Sequence, residues 1–435
     1  MTILKHLIRS IRRNSLFEDS FWALTGNAVG RFCALVSGIV VARLLGKDIY
    51  GEYSVIRNTL FIIAVFSTLG LGYTATKFVA EYAGKCNVTR LIRTINHITL
   101  CASGLIATII FVLADEFAML LKAADLASAL KLLAIIVVFN AVTTTQIGVL
   151  AGLKAFKELS VNNIHSGLMT LAATCILTYS YGFEGALWAL LIAQIFNCIL
   201  NSRSVKRLSR PFPESNLGVQ GLTKKIMAFS IPIALQESLY SLSHWAILVL
   251  MANFSSYGQI GINSAVFQWI NVLMFIPGVL KNVILAHLTG LSEYGIERRK
   301  TLKTMLNINF LGAFVPLIVV VACSKYIVGF YGPSFVKMQP VLLIGVLSTV
   351  FNSIVGVFNQ EFISLGRNWL VFFIGICREA IYVAVSYLLL VNWDGMNRGA
   401  LYVSSAYTIS IICSLILFAA LYYRGYHRKI TINRL

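Results

Sequence analysis

The sequence predicts an all-α integral membrane protein with about twelve transmembrane helices in two parallel six-helix lobes. Three observations predict it. Of 435 residues, 58% are hydrophobic and 12% charged, where a soluble domain is about half apolar and a quarter charged. The basic residues sort to one side of the apolar runs. The two halves of the chain also repeat one another. Residues 41–55 read VARLLGKDIYGEYSV and residues 251–265 read MANFSSYGQIGINSA. At this shift of 210, Ala42 falls on Ala252, Leu44 on Phe254, Gly51 on Gly261 and Ser54 on Ser264. At a shift of 212, Phe139 and Asn140 fall on Phe351 and Asn352, and Leu153 on Leu365. Repeats of this size in a membrane protein mark a transporter with its substrate site between the halves.

The elements follow in order. The start, MTILKHLIRSIRRNSLFEDS, is a basic amphipathic segment ahead of a span too long for a signal peptide; it is expected to be an interfacial stub. Apolar runs of ~20 residues fit the ~30 Å hydrocarbon layer. They fall at 21–45, 53–76, 94–114, 126–150, 160–181 and 184–201, then at 226–251, 262–287, 305–325, 338–364, 369–391 and 399–423. The fifth and sixth are separated by only 180–183. Helices satisfy their own backbone groups in lipid, so these runs are expected as helices and not strands. The longest inner loop, 203–225, holds Pro211 and Pro213 and sits at the midpoint. The expected organisation is an N-terminal lobe 1–205, a cytoplasmic linker 206–221, and a C-terminal lobe 222–435 with a basic tail. Pro232, Pro277 and Pro316 interrupt the seventh, eighth and ninth spans, where each can bend a helix or simply pack.

The net charge of +19 raises the question of nucleic acid. With the amino terminus inside, 25 of the 36 Lys and Arg fall in inner segments and five in outer loops. The positive-inside rule then sets both termini in the cytoplasm of a cell inner (plasma) membrane protein. The basic excess is topological, with attraction to anionic lipid as a by-product, and no nucleic-acid partner is expected. Eight cysteines are scattered without a CxxC pair or a His cluster, so free thiols are expected and neither metal nor cofactor is. No loop has room for a catalytic or nucleotide-binding domain, and there is no P-loop. Energy for transport would come from ions, the membrane potential, the substrate gradient or a partner.

The phrase VARLLGKDIYGEYSV resembles the first-helix signature of polysaccharide transporters in the multidrug/oligosaccharidyl-lipid/polysaccharide (MOP) exporter superfamily. FSIPIALQESLYSLSHWAILVLMANF, IGINSAVFQW, GVLAGLKAFKELSVNN and YGPSFVKMQPVLLIGVLSTVFNSIVGVFNQEFISLGR are similar to it as well. The resemblance covers nearly the whole chain and implies a two-lobed, MATE-like V-shaped fold. Within the superfamily the chain looks most like the Wzx-type O-antigen flippases, which move undecaprenyl-diphosphate-linked oligosaccharides to the outer leaflet. Peptidoglycan-precursor flippases carry two additional helices, which are absent here. The resemblance implies a lipid-linked oligosaccharide substrate, membrane lipids as neighbours, and a polysaccharide polymerase and chain-length protein as partners.

Charged groups inside spans are costly and mark functional candidates. Arg31, Lys281 and Arg378 lie deep in their spans and Arg57 nearer the outer end, while Arg43 and Lys131 are placed to snorkel. A cavity lined by such cations suits a diphosphate, and a guanidinium can engage two phosphate oxygens at once. For Arg378 the alternative is pairing with adjacent Glu379. Asn27 lies one turn before Arg31. On the eighth span Ser264, Gln268, Asn271, Phe275, Gly278 and Asn282 recur at helical spacing; amides on one face suit sugar hydroxyls, or else glue helices together. Glu237, Ser241 and His244 share a face of the seventh span. There a carboxylate could bind a proton or Na⁺ and couple its gradient, or form a static salt bridge. A multidrug cation exporter of the same fold is the first alternative, but it would favour an acidic cavity. A membrane-embedded glycosyltransferase or polymerase would need a paired acidic site, and Asp48, Asp115, Glu116, Asp125 and Asp394 form no convincing pair. An enzyme is therefore not expected.

Overall fold

The computed structural model describes residues 15–82, 88–121, 126–209, 222–288 and 295–432. Residues 1–14 of the amino-terminal stub and most of the expected linker lie outside the described residues. So do the side chains of Lys225, Pro232, Glu237 and Asn282. The described residues form fourteen α-helices and one 3₁₀ turn, with no strand. In order, the helices are α1 (Ser15–Thr68), α2 (Leu71–Tyr82), α3 (Val88–Val112), α4 (Ala114–Leu120), α5 (Ala127–Gly152) and α6 (Phe156–Ser209). They continue with α7 (Leu222–Phe254), α8 (Tyr257–Leu273), α9 (Phe275–Leu288), α10 (Ile296–Ala322) and α11 (Ser324–Tyr331). The last three are α12 (Met338–Ser364), α13 (Asn368–Asn392) and α14 (Gly395–Ile432).

Eight of these helices are long and apolar enough to cross a membrane. Two of the eight are double length and are broken by a glycine that leaves the helical region: Gly46 in α1 (φ 74°, ψ 169°) and Gly182 in α6 (φ 59°, ψ −130°). Only glycine adopts such angles readily, so each long helix supplies two crossings. Gly182 falls in the four residues expected to separate the fifth and sixth spans. Every expected span thus lies on one helix or on two consecutive ones. The protein is an all-α, multi-pass membrane protein. Large apolar residues remain exposed on helices such as α10, including Leu311, Val315, Ile318 and Val319. In water such a stripe would be an aggregation liability, whereas in a bilayer it is the lipid contact.

Two expected spans are corrected. The run 53–76 is not one helix: α1 stops at Thr68, Leu69 and Gly70 take positive φ (47° and 67°), and α2 starts anew. The run 262–287 divides at Met274, which caps α8 before α9 begins. Pro277 therefore does not kink a helix interior. It sits in the first turn of α9, where its missing N–H has no helical partner to lose. The polar stripe expected along the eighth span is split accordingly, with Ser264, Gln268 and Asn271 on α8 and Gly278 and Asn282 on α9.

The duplication is written into the element boundaries. The short helices α4 and α11, unexpected from the sequence, start 210 residues apart at Ala114 and Ser324. Helices α5 and α12 end 212 apart at Gly152 and Ser364, and each is followed two residues later by a positive φ, at Lys154 (57°) and Gly366 (70°).

The chain folds into two compact units. The first comprises Met1–Leu44 and Val55–Trp245, the second Leu45–Ser54 and Ala246–Leu435. Inside the first, α2 packs on α5 through glycines: a Cβ added at Gly148 would lie 2.1 Å from the Gly72 carbonyl oxygen. Small residues at such crossings let membrane helices approach closely. Buried polar pairs tie further helices, with Asn162 donating to Asn201 (2.9 Å) and Ser204 (3.0 Å), and Gln146 to Ser202 (2.7 Å). Thr74 meets Ser230 at 2.7 Å. Each such bond contributes about 0.6 kcal/mol on average and up to ~2.

Inside the second unit, the segment Leu45–Ser54 nests on α8. A Cβ at Gly51 would fall 1.9 Å from the Tyr257 carbonyl oxygen, and one at Gly261 2.3 Å from that of Lys47. These glycines are the repeat partners noted in the sequence. A buried ion pair joins α10 to α12. Arg298 Nε donates to Glu361 Oε1 (2.8 Å) and Nη2 to Oε2 (3.0 Å), while Nη1 donates to the Leu288 carbonyl at the end of α9 (3.2 Å).

Candidate functional site

The candidate residues divide between the units, and each set is positioned by its own helix packing. In the first unit, Gly26 and Gly30 face α6: a Cβ at Gly26 would lie 2.4 Å from Ser160 Cα, and Gly30 Cα lies 3.3 Å from a Cβ built on Gly167. This packing leaves the neighbouring positions Asn27 and Arg31, one turn apart, exposed on α1. Arg57, beyond the Gly46 break, is half-buried. On α7, His244 is half-buried with its ring 4.2 Å from that of Tyr240, and Ser241 is buried. The side chain of Glu237 lies outside the described residues.

In the second unit, Lys281 is exposed on α9, with its Cε 3.9 Å from a Cβ built on Gly356 of α12. A side chain at 356 would crowd the lysine stem. Arg378, on α13, lies close enough for its charge to act on Lys281. Arg378 also pairs with Glu379, its Nε donating to Oε1 at 3.0 Å and its Nη2 to the same oxygen. The pair is mostly buried, with side chains 21% and 12% exposed. Tyr407 of α14 is buried beside this group. Its ring is 5.3 Å from Tyr382 and 5.5 Å from Phe267. Five helices thus bring together two cations, one carboxylate and three aromatic rings. The group carries net positive charge in a membrane-spanning unit, next to buried aromatic rings. Chemically its cations can hold an anionic group.

The remaining candidates of this unit behave differently from one another. Asn271 is exposed on α8. Gln268 does not present its amide nitrogen to a ligand: it donates to the hydroxyl of Tyr50, which is fully buried beside Phe335 and Tyr53. Its Oε1 is buried without a hydrogen-bond partner among the described residues.

Sequence reasoning missed Tyr382 and Tyr407, because one tyrosine among many apolar residues carries no periodic signal. It also missed the Arg298–Glu361 pair. Arg298 reads as one of four basic residues of an inner segment, and its partner is 63 positions away. The signal available was Glu361 itself, the one acidic residue in the run 338–364. Among the described residues no cluster of His, Cys, Asp or Glu could hold a metal ion.

The family described as polysaccharide biosynthesis protein matches residues 16–286. The chain belongs to this family. Three solved structures extend the fold assignment of this polysaccharide biosynthesis family member. An inward-facing multidrug resistance MATE family transporter of the MOP superfamily is 13% identical, with a TM-score of 0.73 over 95% of this chain and 99% of the other. The lipid II flippase MurJ, in an inward closed conformation, is 13% identical, with a TM-score of 0.72 over 90% and 85%. A MOP superfamily transporter from Pyrococcus furiosus is 13% identical, with a TM-score of 0.59 over 93% and 95%. At this identity the likeness establishes the MOP fold alone. No curated protein matches the chain by sequence.

Proposed function

We propose that the protein is a flippase for an undecaprenyl-diphosphate-linked oligosaccharide, an O-antigen or other surface-polysaccharide repeat unit. It carries this lipid from the cytoplasmic to the periplasmic leaflet of the inner membrane by alternating access. The observation that carries the reading is the Lys281, Arg378 and Glu379 group, built among membrane helices in a member of the polysaccharide biosynthesis family. A diphosphate needs cations it can approach, and cations at membrane depth are retained only where they are used. Arg31, Arg57, Asn27 and Asn271 supply further charge and amide contacts for phosphate and sugar. One structural neighbour is itself a lipid II flippase, which supports the same class of cargo.

In this reading 1–205 and 222–435 are the two working lobes, joined by 206–221, and both termini are cytoplasmic. Glu237, with His244 on the same face of α7, is the ion-coupling group. No chemistry is performed on the cargo, so the protein is not an enzyme. A polymerase and a chain-length protein act downstream.

The test is complementation of a deletion strain. Arg31→Ala with Lys281→Ala should leave protein abundance normal, lower surface glycan and make lipid-linked oligosaccharide accumulate on the cytoplasmic leaflet. Full export by this variant would contradict the anion-binding role.

A further inference from the structure

The first unit contains a pocket that the transport reading does not use. Its volume is about 350 Å³, and Ala64, Val65, Gly72, Tyr73, Thr144 and Ala151 contribute to its walls. That size is at the lower end of the ~300–1,000 Å³ typical of ligand pockets. Two sequence features create it. The positive φ values at Leu69 and Gly70 redirect the chain between α1 and α2. The Gly72–Gly148 contact then holds α2 on α5 without side chains to fill the space.

The pocket is a hydrocarbon site by its chemistry. Its threonine hydroxyls are spent on backbone carbonyls: Thr68 donates to Val65 (3.2 Å), Thr144 to Asn140 (2.9 Å), and Thr76 to both Gly72 and Gly148 (3.1 Å each). Thr144 turns its methyl towards Gly72. What remains for an occupant is mostly methyl, methylene and ring carbon.

Past the wall residues of α2 and α5, towards one end, the chain carries two lysines. Thr76 is followed by exposed Lys77. Gly152, which abuts the Thr76 carbonyl and Val79, is followed by exposed Lys154 at the turn after α5. By the charge-derived topology this is the cytoplasmic end.

We propose that this pocket binds an acyl chain of an anionic phospholipid from the cytoplasmic leaflet, its phosphate held by Lys77 and Lys154. Basic residues at the cytoplasmic rim of membrane helices attract anionic lipid head groups, and the apolar pocket above them takes the chain. The bound lipid is a resident of the protein and is not the cargo.

Native mass spectrometry of the purified full chain tests this, using phosphatidylglycerol and phosphatidylcholine of identical chain length. The wild type should retain phosphatidylglycerol in preference. Lys77→Gln with Lys154→Gln, and separately the pocket-filling Ala151→Phe, should each weaken that retention roughly tenfold. Ala64→Leu is the milder filler if phenylalanine lowers folded yield. Diazirine-bearing phosphatidylglycerol should label residues 64–76 and 144–151. Equal retention of the two phospholipids would overturn the proposal. So would retention lost on removing the lysines but untouched by either filler, because binding would then be at the head group alone. Preferential labelling of these residues by undecaprenyl diphosphate would overturn it too, by making the pocket part of the cargo path.

Discussion

Arg298 and Glu361 show what a single buried pair does in this protein. Their side chains are 4% and 2% exposed, so removal of either leaves an uncompensated charge in a low-dielectric interior. Arg298→Ala should lower stability by about 3–5 kcal/mol. Replacing both partners, as in Arg298→Met with Glu361→Leu, should restore most of it. Thermal unfolding of the purified variants measures both effects; a double variant no more stable than the single one would mean that the backbone contacts to Leu288 and Glu361 matter more than the charge. Glu237→Gln asks a different question. Glutamine keeps shape and hydrogen bonding but cannot ionise, so a coupling role predicts that cargo still binds while transport stops responding to imposed pH or Na⁺ gradients. A salt-bridge role predicts lowered stability, rescued by neutralising the basic partner. Wild-type flux indifferent to both gradients would remove coupling altogether.

At the scale of elements, glycine contacts fix where helices can pack. The Gly148 Cα sits so close to the Gly72 carbonyl that any Cβ must displace backbone. Gly148→Leu should therefore cost more than the ~1–3 kcal/mol typical of overpacking, seen as loss of folded, monodisperse protein in detergent. Gly104, where an added Cβ meets nothing within 4 Å, is the control and should tolerate alanine. The helices themselves were legible in the sequence because lipid demands ~20 apolar residues per crossing. The divisions at Leu69–Gly70 and Met274 were not. Apolar content continues across both breaks, and hydropathy does not register a change of backbone angle. Pro277 misled for a related reason: a proline inside an apolar run reads as a kink, whereas here it opens a new helix. Gln268 read as a ligand-facing amide, yet its partner Tyr50 is 218 positions away in sequence, beyond any local pattern.

For the whole molecule, duplication and charge asymmetry did most of the sequence-level work. The repeat of Gly51 and Gly261 marked two positions that meet backbone within the second unit, although the sequence offered no hint that Leu45–Ser54 packs there. Topology is the claim on which everything else rests. In a cysteine-free background, a single cysteine at exposed Asp394 should react with an impermeant maleimide from outside, and cysteines at position 225 and the termini should not. Labelling of positions 225 and 394 from the same side would contradict the two-lobe reading. The central claim, transport of a lipid-linked anionic glycan, is tested most directly in proteoliposomes. Purified protein is reconstituted with fluorescent undecaprenyl-diphosphate oligosaccharide, and the fraction reaching the opposite leaflet is followed with a membrane-impermeant quencher. The account predicts that the wild type moves this lipid, that Arg31→Ala with Lys281→Ala slows it strongly, and that a lipid with the same glycan but no phosphate is carried poorly. Equal movement of the charged and uncharged lipids, or none above protein-free vesicles, would contradict it.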